Sequence, residues 1–304
     1  MLRIIYNSTP LWDYLIDNVK GNGAITFVKL NRKNNVLTSQ SIVMKIVNKI
    51  IGKYINLKAK YSVCGDMNNI SANEDILLLG IYNYYELQWI RHRFKYNHLI
   101  LWMWNPIDRT YRREPSKVIN GLKKMKFDIY SFDSSDADKY EIGLKPQFTI
   151  IPKALLCKGS SMYDVYFLGQ PKGRLQILND IKAEFEKRGI ECFFIIVKDV
   201  SDYISYEENI KHVCSSRCVL EICQPGQGGL TLRALEAMLC GKKLITNNSA
   251  IKDADFYNRD NIFIIGEDDL DEINVFIESE FTPVPYSVME KYDFNNWINS
   301  FLKQ

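Results

Sequence analysis

The sequence lacks any apolar run long enough to cross a bilayer, and it has only 3 histidines among its 304 residues. Its apolar runs, such as Ile76–Leu79 and Leu99–Trp104, fall far below the ~18 residues that a spanning helix needs, so they fit buried strands instead. Met1–Asn7 has no basic region followed by a long apolar stretch, and we therefore expect no signal peptide. With 46% hydrophobic and 25% charged residues, the composition predicts a cytoplasmic globular protein with room for two domains.

Paired metal-binding cysteines are also absent. The chain has 7 cysteines at irregular spacing, and most of them lie in or beside apolar runs: Cys64, Cys192, Cys218, Cys223 and Cys240. This usage indicates a reducing compartment and small core residues. His212 and Cys214 lie close to Cys218 and Cys223 in the sequence, but no Cys-x-x-Cys or His-x-x-x-His spacing links them. We interpret this cluster as buried core rather than as a metal site.

Positive charge is concentrated in the first half of the chain. Residues 1–150 contain 22 Lys and Arg against 13 Asp and Glu, a net charge of +9, whereas residues 151–304 contain 17 against 23, or −6. This difference supports two domains of different character. A basic first domain would attract an anionic partner, such as a membrane surface, a lipid pyrophosphate or nucleic acid, although ordinary solvated surface charge explains the imbalance equally well.

Strand-like and helix-like segments alternate along both halves, which is the pattern of parallel βαβ units. The predicted strands are Leu2–Tyr6, Ile25–Leu30, Asp75–Gly80, His98–Trp104, Phe127–Phe132, Tyr163–Gly169, Cys192–Val197, Cys218–Cys223, Lys243–Thr246 and Ile262–Ile265. The predicted helices are Trp12–Val19, Ile42–Ile51, Tyr84–Phe94, Lys117–Lys124, Arg174–Arg188, Tyr206–Cys214, Leu230–Leu239 and Phe294–Leu302. The predicted fold class is therefore α/β, with two Rossmann-like parallel-sheet domains.

The domain boundary is predicted within Leu144–Lys158, a segment that contains two prolines and has weak periodicity. We assign residues 1–150 to an N-terminal domain and residues 151–304 to a C-terminal domain, which the resemblance described below makes the acceptor side and the nucleotide-sugar donor side. The last predicted helix, Phe294–Leu302, could pack back on the first domain.

A glycine-rich loop at Gly226–Thr231 joins a predicted strand to a predicted helix. Glycines let backbone N–H groups approach an anion closely, and the N-terminus of the following helix favours negative charge. Because ligands of open α/β sheets bind at the carboxyl ends of the strands, the loop predicts a phosphate site. It matches neither the P-loop pattern nor the Rossmann glycine spacing, and taken alone it could equally be a tight turn.

Charged side chains near this loop strengthen the hypothesis of a phosphate site. Arg233 and Glu236 lie one helical turn apart. Arg233 could brace a phosphate and Glu236 could bind ribose hydroxyls, or the two could form a surface ion pair. Lys172 and Arg174 follow another predicted strand and open the next helix, where they could neutralise a diphosphate.

These segments resemble the GT-B glycosyltransferases, and more narrowly the bacterial enzymes that build capsular polysaccharide and lipopolysaccharide. Gln224–Met238 and the following Gly241–Asn248 look like the donor domain of these enzymes, and Phe167–Arg174 resembles their strand and loop with phosphate-binding cations. Trp104–Pro106 and Ser131–Tyr140 resemble elements of their N-terminal half. The resemblance implies the GT-B architecture, in which two domains face a central cleft, and a hexosyltransferase-type activity.

The resemblance also implies roles for individual residues. The donor diphosphate would be bound by Lys172, Arg174 and the backbone amides of the loop, and the ribose by Glu236. The implicated loop residues are Gly226, Gly228, Gly229 and Thr231. Many retaining relatives have a second glutamate at the position of Gly228, and Glu221 lies on the other side of the loop. The stereochemistry therefore stays open, as does the choice between Gln224 and Gln227 for contact with the sugar.

Neither a metal nor a cofactor is expected, because cations and a helix N-terminus would stabilise the departing nucleoside diphosphate. The nucleotide sugar itself is the substrate. Two Asp-x-Asp strings, Asp136–Asp138 and Asp253–Asp255, match the short metal motif of the GT-A class. Neither string follows a convincing buried strand, so we interpret both as chance matches.

An inverting enzyme would need a base that accepts the proton of the attacking hydroxyl. Asp13, after the first strand, and Asp108, after Trp104–Pro106, are the candidates, although either could be a helix cap or a turn residue. Asn105 is a further residue that could line the cleft. Tyr206 could stack on the nucleotide or bind near it.

The sequence thus predicts transfer of a sugar to a lipid-linked glycan acceptor by a cytoplasmic protein that could bind the inner face of the cell membrane peripherally. One rival is a nucleotide-sugar 2-epimerase of the same fold, which would turn over donor without acceptor. The other is a non-enzymatic protein that binds a nucleotide or a polyanion. Aromatic residues alternate with basic ones in residues 82–113, but we do not expect nucleic acid as a partner.

Overall fold

The computed structural model describes residues 1–19, 23–30, 67, 69–149, 161–223 and 229–302. The chain divides into two compact units, the first built mainly from residues 1–145 and the second mainly from residues 146–301. Each unit has its own sheet and its own buried apolar core. The predicted helix Ile42–Ile51 lies outside the described residues.

The first sheet has the strand order β2-β1-β3-β4-β5-β6, and all neighbouring strands are parallel. Its long strands are largely apolar, as expected for a parallel sheet with both faces covered, and every residue of β4 is buried. The order reverses between β1 and β3, so the carboxyl ends of these strands form the switch point of the sheet. The strands are β1 (Leu2–Asn7), β2 (Ile25–Leu30), β3 (Asp75–Leu79), β4 (Leu99–Met103), β5 (Phe127–Ser131) and β6 (Gly143–Leu144).

Helices connect these strands and place their apolar residues on the sheet. The described helices are α1 (Pro10–Asp17), α2 (Tyr84–Arg93), α3 (Ile107–Thr110), α4 (Pro115–Lys124) and α5 (Ser134–Tyr140). Asn83 caps α2 by accepting the N–H groups of Tyr85 and Glu86. Asp133 caps α5 in the same way, from Ser135 N–H. The short helices α3 and α5 have no clear apolar periodicity and were not predicted.

The second sheet has the order β11-β10-β9-β7-β8 and is also parallel throughout. Since β7 lies between β8 and β9, the switch point of this sheet is at the carboxyl ends of β7 and β9. The strands are β7 (Tyr163–Gly169), β8 (Cys192–Ile196), β9 (Ser216–Glu221), β10 (Lys243–Thr246) and β11 (Ile262–Ile264). All five were predicted to within two residues at either end, and they are confirmed.

The helices of the second unit are α6 (Leu175–Lys187), α7 (Tyr206–Cys214), α8 (Leu232–Leu239), α9 (Ile273–Glu278), α10 (Tyr286–Met289) and α11 (Phe294–Asn299). Single 3-10 turns lie at Val200–Asp202, Ser249–Asp253, Leu270–Glu272 and Glu290–Tyr292. Ser205 caps α7 and Thr231 caps α8. The predicted helices α6, α7 and α8 are confirmed, whereas α9 and α10 were not predicted.

The last helix is clamped to the segment that leads into the second unit. Phe148 stacks on Phe294 with ring centroids 4.4 Å apart. The indole N–H of Trp297 donates to the carbonyl of Pro146 at 2.9 Å, and Phe294 N–H donates to the carbonyl of Thr149 at the same distance. These contacts all lie within the second unit, so packing of this helix on the first domain stays a prediction.

Most of the described cysteines serve as small core residues, as predicted. Cys218, Cys223 and Cys240 are buried free thiols, and Cys192 is a half-buried one. Cys214 differs because it is disulfide-bonded. In the part of the chain that the structure describes, no helix is long and apolar enough to cross a membrane.

Candidate functional site

The topology of the second sheet brings the predicted phosphate-binding segments to one edge. β7 ends at Gly169 and β9 ends at Glu221, and these two carboxyl ends flank the switch point. Lys172 and Arg174 follow β7, while the glycine-rich loop follows β9. Open α/β sheets bind ligands in the crevice at such a point, so this edge is the candidate functional site.

Glu221 anchors the far end of the glycine-rich loop. It is 1% exposed, and each of its carboxylate oxygens accepts a hydrogen bond from a threonine hydroxyl. Thr231 donates to Oε1, and Thr246, at the end of β10, donates to Oε2 at 2.6 Å. The hydroxyl of Thr231 also accepts the N–H of Arg233 at 3.2 Å as the cap of α8. The buried carboxylate therefore ties the start of α8 to β9 and β10.

Asn247 secures the near end of the same loop. Its Oδ1 accepts the N–H of Cys223 at 2.6 Å, and its Nδ2 donates to the carbonyl of Cys223 at 3.3 Å. The predicted loop residues Gln224, Gly226, Gln227 and Gly228 lie outside the described residues, and their roles stay predictions. Gly229, directly after them, is buried. Described residues thus fix both ends of the loop.

Arg174 is buried at this edge of the sheet, with 8% of its surface exposed. Its Nη1 donates to the carbonyl of Ile222, and its Nη2 donates to the carbonyl of Gln170 at 3.3 Å. Its guanidinium carbon lies 5.4 Å from the ring centroid of Phe167. The third nitrogen, Nε, is buried and has no hydrogen-bond partner. The side chain is therefore held firmly while one donor is left unused.

Arg233 brings a second guanidinium to the same ring. Its carbon lies 5.2 Å from the Phe167 centroid, and its Nε donates to the carbonyl of Leu168 at 3.0 Å. Gly169 makes this arrangement possible, because a Cβ there would lie 2.5 Å from Nη2 of Arg233 and 3.1 Å from Nη2 of Arg174. The two guanidinium groups occupy the space that a side chain at the end of β7 would fill.

The electrostatics of this pair favour an anion. Burial and the neighbouring Arg233 guanidinium lower the pKa of Arg174 to about 10. Neither arginine forms an ion pair with a carboxylate of the described residues. The first turn of α8, which carries Arg233, adds the positive end of a helix dipole. A phosphate here would relieve the repulsion between the buried Arg174 and the half-buried Arg233 and would accept hydrogen bonds from their remaining N–H groups.

Glu236 lies on α8 but is buried in the second unit, with 4% of its surface exposed. Tyr206 and Asn209, both on α7, hydrogen-bond to its carboxyl group. Burial raises the pKa of Glu236, and the nearby Arg233 and these two hydrogen bonds only partly offset that effect. The structure thus joins the predicted residues Glu236 and Tyr206 directly, and Glu236 does not form the surface ion pair that was its alternative.

Lys172 occupies the turn between β7 and α6. It is exposed and has a left-handed backbone, with φ at 41°. Such a conformation is uncommon for a residue with a side chain and marks a constrained turn. Its position after β7 agrees with the predicted site, and contact with a phosphate stays a prediction.

Asp13 lies on α1, beside the switch point of the first sheet. Its Oδ2 accepts hydrogen bonds from Ser8 Oγ at 2.7 Å and Lys29 Nζ at 3.2 Å, whereas its Oδ1 is buried with no partner. Burial opposes ionisation, but the bonds from Ser8 and Lys29 outweigh it and lower the pKa of Asp13. A hydrogen bond from Tyr6 lowers the pKa further, so the carboxylate at this predicted base position favours its ionised form, with Oδ1 buried.

Asp108 has a different environment on α3. Its carboxylate accepts hydrogen bonds from Lys139 and Tyr140, which together lower its pKa, and its side chain is 53% exposed. Both oxygens are thus engaged, and the arrangement fits the turn residue that was the alternative for this position. Asn105, which precedes α3, is exposed.

Both Asp-x-Asp strings contribute to the packing of their own units. Asp136 is 5% exposed, and its Oδ2 accepts the N–H of Ile107 at 2.9 Å and the hydroxyl of Ser131 at 3.1 Å. Burial raises the pKa of Asp136. Asp255 accepts hydrogen bonds from Lys291 and Tyr292. No group of three or more metal-ligating side chains occurs among the described residues.

Sequence reasoning missed three contributors to the site: Phe167 as the ring under both arginines, Glu221 as the anchor of the loop, and Asn209 as a donor to Glu236. A usable signal existed for Glu221, since a glutamate that ends an apolar strand is rarely buried without partners. Nothing in the local sequence of Phe167 or Asn209 indicates their roles, because both depend on the packing of distant segments.

Comparison with known proteins gives structural likeness only. No family model matches the sequence, and no curated protein matches it. The chain is similar to the N-terminal domain of trehalose-6-phosphate phosphatase from Candida albicans, with a TM-score of 0.54 and 12% identity over 99% of this chain and 97% of that chain. It is also similar to a UDP-forming alpha,alpha-trehalose-phosphate synthase from Burkholderia xenovorans, with a TM-score of 0.53 and 9% identity over the same shares. The likeness confirms the predicted fold class, α/β with two parallel sheets of the GT-B kind.

Proposed function

We propose that this protein is a hexosyltransferase-type glycosyltransferase that uses a nucleoside-diphosphate sugar as donor and needs no metal ion. The proposed donor site is the carboxyl edge of β7 and β9. The proposed acceptor binds to the first unit and is a growing, lipid-linked glycan of cell-surface polysaccharide synthesis. The fold of the Burkholderia neighbour, which is named as a UDP-forming synthase, supports a nucleotide donor by analogy.

One observation carries the proposal: the buried guanidinium of Arg174 and the half-buried guanidinium of Arg233 share the ring of Phe167, and neither forms an ion pair with a carboxylate of the described residues. Buried charges are normally paired, because desolvation makes an isolated one costly. Two neighbouring guanidinium groups at a ligand-binding edge favour the binding of a dianion. A diphosphate has the required charge and enough oxygens to satisfy Arg174 Nε.

The chemistry follows from the charges at this edge. As the bond between the sugar and the diphosphate breaks, negative charge grows on the departing oxygen. Arg174, Arg233 and Lys172, together with the N–H groups at the start of α8, would stabilise that charge. Their positions are fixed before the reaction, by Phe167 for the two arginines, so little reorganisation is required. Glu236 would bind the ribose hydroxyls.

On the acceptor side, the relevant features are Asp13 and the positive charge of the first half of the chain. Asp13 favours its ionised form, so it could accept the proton of an attacking hydroxyl. The net charge of +9 over residues 1–150 favours an anionic acceptor. A lipid pyrophosphate and a sugar phosphate both meet this requirement. A sugar phosphate is the alternative to the lipid-linked glycan, and the fold shared with the trehalose-phosphate synthase from Burkholderia supports it by analogy.

Thermal unfolding with a panel of nucleotides tests the donor site. UDP and GDP should each be compared with CMP, which lacks the second phosphate, on wild type, Arg174→Met and Lys172→Ala. A ligand that binds only the folded protein raises the melting temperature. The proposal expects one diphosphate to stabilise wild type and both variants to lose that gain. If neither diphosphate shifts wild type, the donor site does not exist and the proposal is wrong.

Assays of product formation distinguish glycosyl transfer from the two alternative functions, epimerisation and polyanion binding. The UDP- or GDP-sugars that bind should be incubated with and without candidate acceptors, and products followed by mass spectrometry and proton NMR. Transfer requires an acceptor, whereas conversion of the donor to its 2-epimer without any acceptor would establish the epimerase. RNA binding that weakens steeply with added salt, without any effect of nucleotide sugars, would instead establish a polyanion-binding protein.

A further inference from the structure

Helix α7 supplies an organised set of donors to Glu236. Tyr206 and Asn209 lie one helical turn apart on α7, and both hydrogen-bond to the Glu236 carboxyl group. Glu236 is 4% exposed and Asn209 is 7% exposed, so water does not substitute for these contacts. The resemblance to glycosyltransferases does not account for this arrangement, because a ribose-binding carboxylate alone needs no support from another helix.

The donors and acceptors that each side chain carries determine the direction of these hydrogen bonds. The hydroxyl of Tyr166 donates to Asn209 Oδ1 at 3.1 Å, which leaves Asn209 Nδ2 as the donor toward Glu236. Tyr206 has one hydroxyl proton, which an ionised Glu236 requires. Thr149 Oγ1 must therefore donate to Tyr206 Oη across their 2.7 Å contact. Two series of hydrogen bonds therefore end on the Glu236 carboxyl group. One runs from Tyr166 on β7 through Asn209, and the other runs from Thr149 through Tyr206.

Thr149 is itself held in place by the backbone. Its N–H donates to the carbonyl of Tyr292 at 3.0 Å, and its carbonyl accepts the N–H of Phe294 at 2.9 Å. Thr149 is 0% exposed. The hydroxyl of Tyr206 therefore has a fixed partner rather than a mobile one.

We propose that Tyr206 is a positioning residue for the donor ribose: with Thr149 behind it, Tyr206 orients the Glu236 carboxylate so that its remaining lone pairs face the ribose hydroxyls. A carboxylate has about four lone-pair sites, and α7 uses two of them. This inference rests on the proposed function, since it requires a ribonucleotide at the site. Under this inference Tyr206 contacts the Glu236 carboxylate, rather than the nucleotide that the sequence predicted as its partner.

The test compares ribose with deoxyribose. Dissociation constants for UDP and 2′,3′-dideoxy-UDP, or for the GDP pair if GDP is the nucleotide that binds, should be measured by calorimetry on wild type, Tyr206→Phe, Thr149→Val and Glu236→Gln. A hydrogen bond to a charged group contributes about tenfold or more to binding. Wild type should therefore prefer the ribonucleotide by at least about tenfold, and Glu236→Gln should lose most of that preference.

Tyr206→Phe keeps the ring and removes only the hydroxyl. We expect it to reduce the ribose preference at least about threefold while the affinity for the dideoxynucleotide stays unchanged, with Thr149→Val intermediate. The matched control is Tyr163→Phe, which removes the hydroxyl that contacts His212 Nδ1 at 2.7 Å in the same unit. That control should keep the wild-type preference.

Each outcome decides the inference. If Tyr206→Phe retains the full ribose preference, or weakens both nucleotides equally, Tyr206 has only a structural role and the inference is overturned. If wild type binds no nucleotide at all, the proposed function fails with it. If wild type binds both nucleotides equally tightly, the donor site stands but neither Glu236 nor Tyr206 acts on the ribose.

Discussion

Replacing Arg174 by methionine should change the stability of the free protein only modestly and abolish its response to a nucleoside diphosphate. Burial and Arg233 lower the pKa of Arg174 to about 10. That lowering corresponds to about 3 kcal/mol against the folded state. The cost is present at every pH below the folded pKa and fades only as the pH rises from there toward the higher pKa of the unfolded chain. Methionine retains most of the side-chain stem and removes this cost.

The same substitution also removes two hydrogen bonds. The carbonyls of Ile222 and Gln170 lose the donors that Arg174 supplies, and an unsatisfied buried acceptor costs about 1–3 kcal/mol. The two lost bonds together cost about 2–6 kcal/mol and the relieved burial of charge returns about 3 kcal/mol, so the free energy of unfolding should fall by no more than about 3 kcal/mol.

Urea unfolding followed by circular dichroism, with and without a saturating nucleoside diphosphate, measures both quantities. At a ligand concentration 100 times its dissociation constant, wild type should gain about 2.7 kcal/mol and Arg174→Met should gain nothing measurable. Arg217→Met is the control, because the side chain of Arg217 is 47% exposed and, among the described residues, it forms an ion pair with Asp164 at 3.3 Å. It should keep the full gain. A loss of more than about 4 kcal/mol for Arg174→Met without nucleotide, or an undiminished gain with it, would refute the reasoning.

Three further predictions follow from the same contacts. Gly169→Ala should displace the guanidinium of Arg233, because Nη2 of Arg233 would lie 2.5 Å from the added Cβ. The affinity for the diphosphate, measured by calorimetry, should fall at least about tenfold. Gly23→Ala is the control, since its added Cβ meets nothing within 4 Å, and it should leave the affinity unchanged. Burial raises the pKa of Glu236 from its ordinary value of 4.5, so the stability it contributes at low pH is lost as the pH rises through its folded pKa. Glu236→Gln should therefore gain stability relative to wild type as the pH rises above 4.5 in thermal melts, and a difference that does not change with pH would contradict this. Asp13→Asn should lower the transfer rate at least about 100-fold because it removes the ionised carboxylate, whereas Asp108→Asn should retain most of it and cost less than about 1 kcal/mol of stability; equal losses of rate would contradict the choice of Asp13.

Most regular elements could be predicted from the sequence because their apolar patterns are strong. The strand Leu99–Met103 is an unbroken apolar run, and Leu175–Lys187 shows clear helical periodicity. The helix Ser134–Tyr140 was missed because Ser and Asp dominate it, and only the cap by Asp133 and a few buried residues mark it. Local pattern therefore predicts elements that bury a broad apolar face and misses those that depend on a few tertiary contacts.

The location of the candidate site could be predicted from the sequence, but the contacts of its side chains could not. The glycine-rich loop and the cations after β7 indicate a phosphate at a strand edge, and the strand order agrees with that placement. Spacing alone suggested that Arg233 and Glu236 share one side of α8. Arg233 does lie close enough to Glu236 to lower its pKa, but its hydrogen bonds go to the carbonyl of Leu168, whereas those of Glu236 come from α7. The packing of β7 and α7 determines which neighbours these two side chains contact. Both elements are distant from α8 in the sequence, so the local sequence does not reveal those contacts.

The clamp between Pro146 and the last helix determines where the chain can be cut. A fragment of the second unit that began near Tyr163 would lack the ring that stacks on Phe294 and the carbonyl that accepts the indole N–H of Trp297. The apolar residues of the final helix, of which Trp297 is 2% exposed, would then face solvent and promote aggregation. A separately expressed donor unit should therefore begin at or before Pro146, and an insertion or tag is better tolerated at an exposed position than within 146–149.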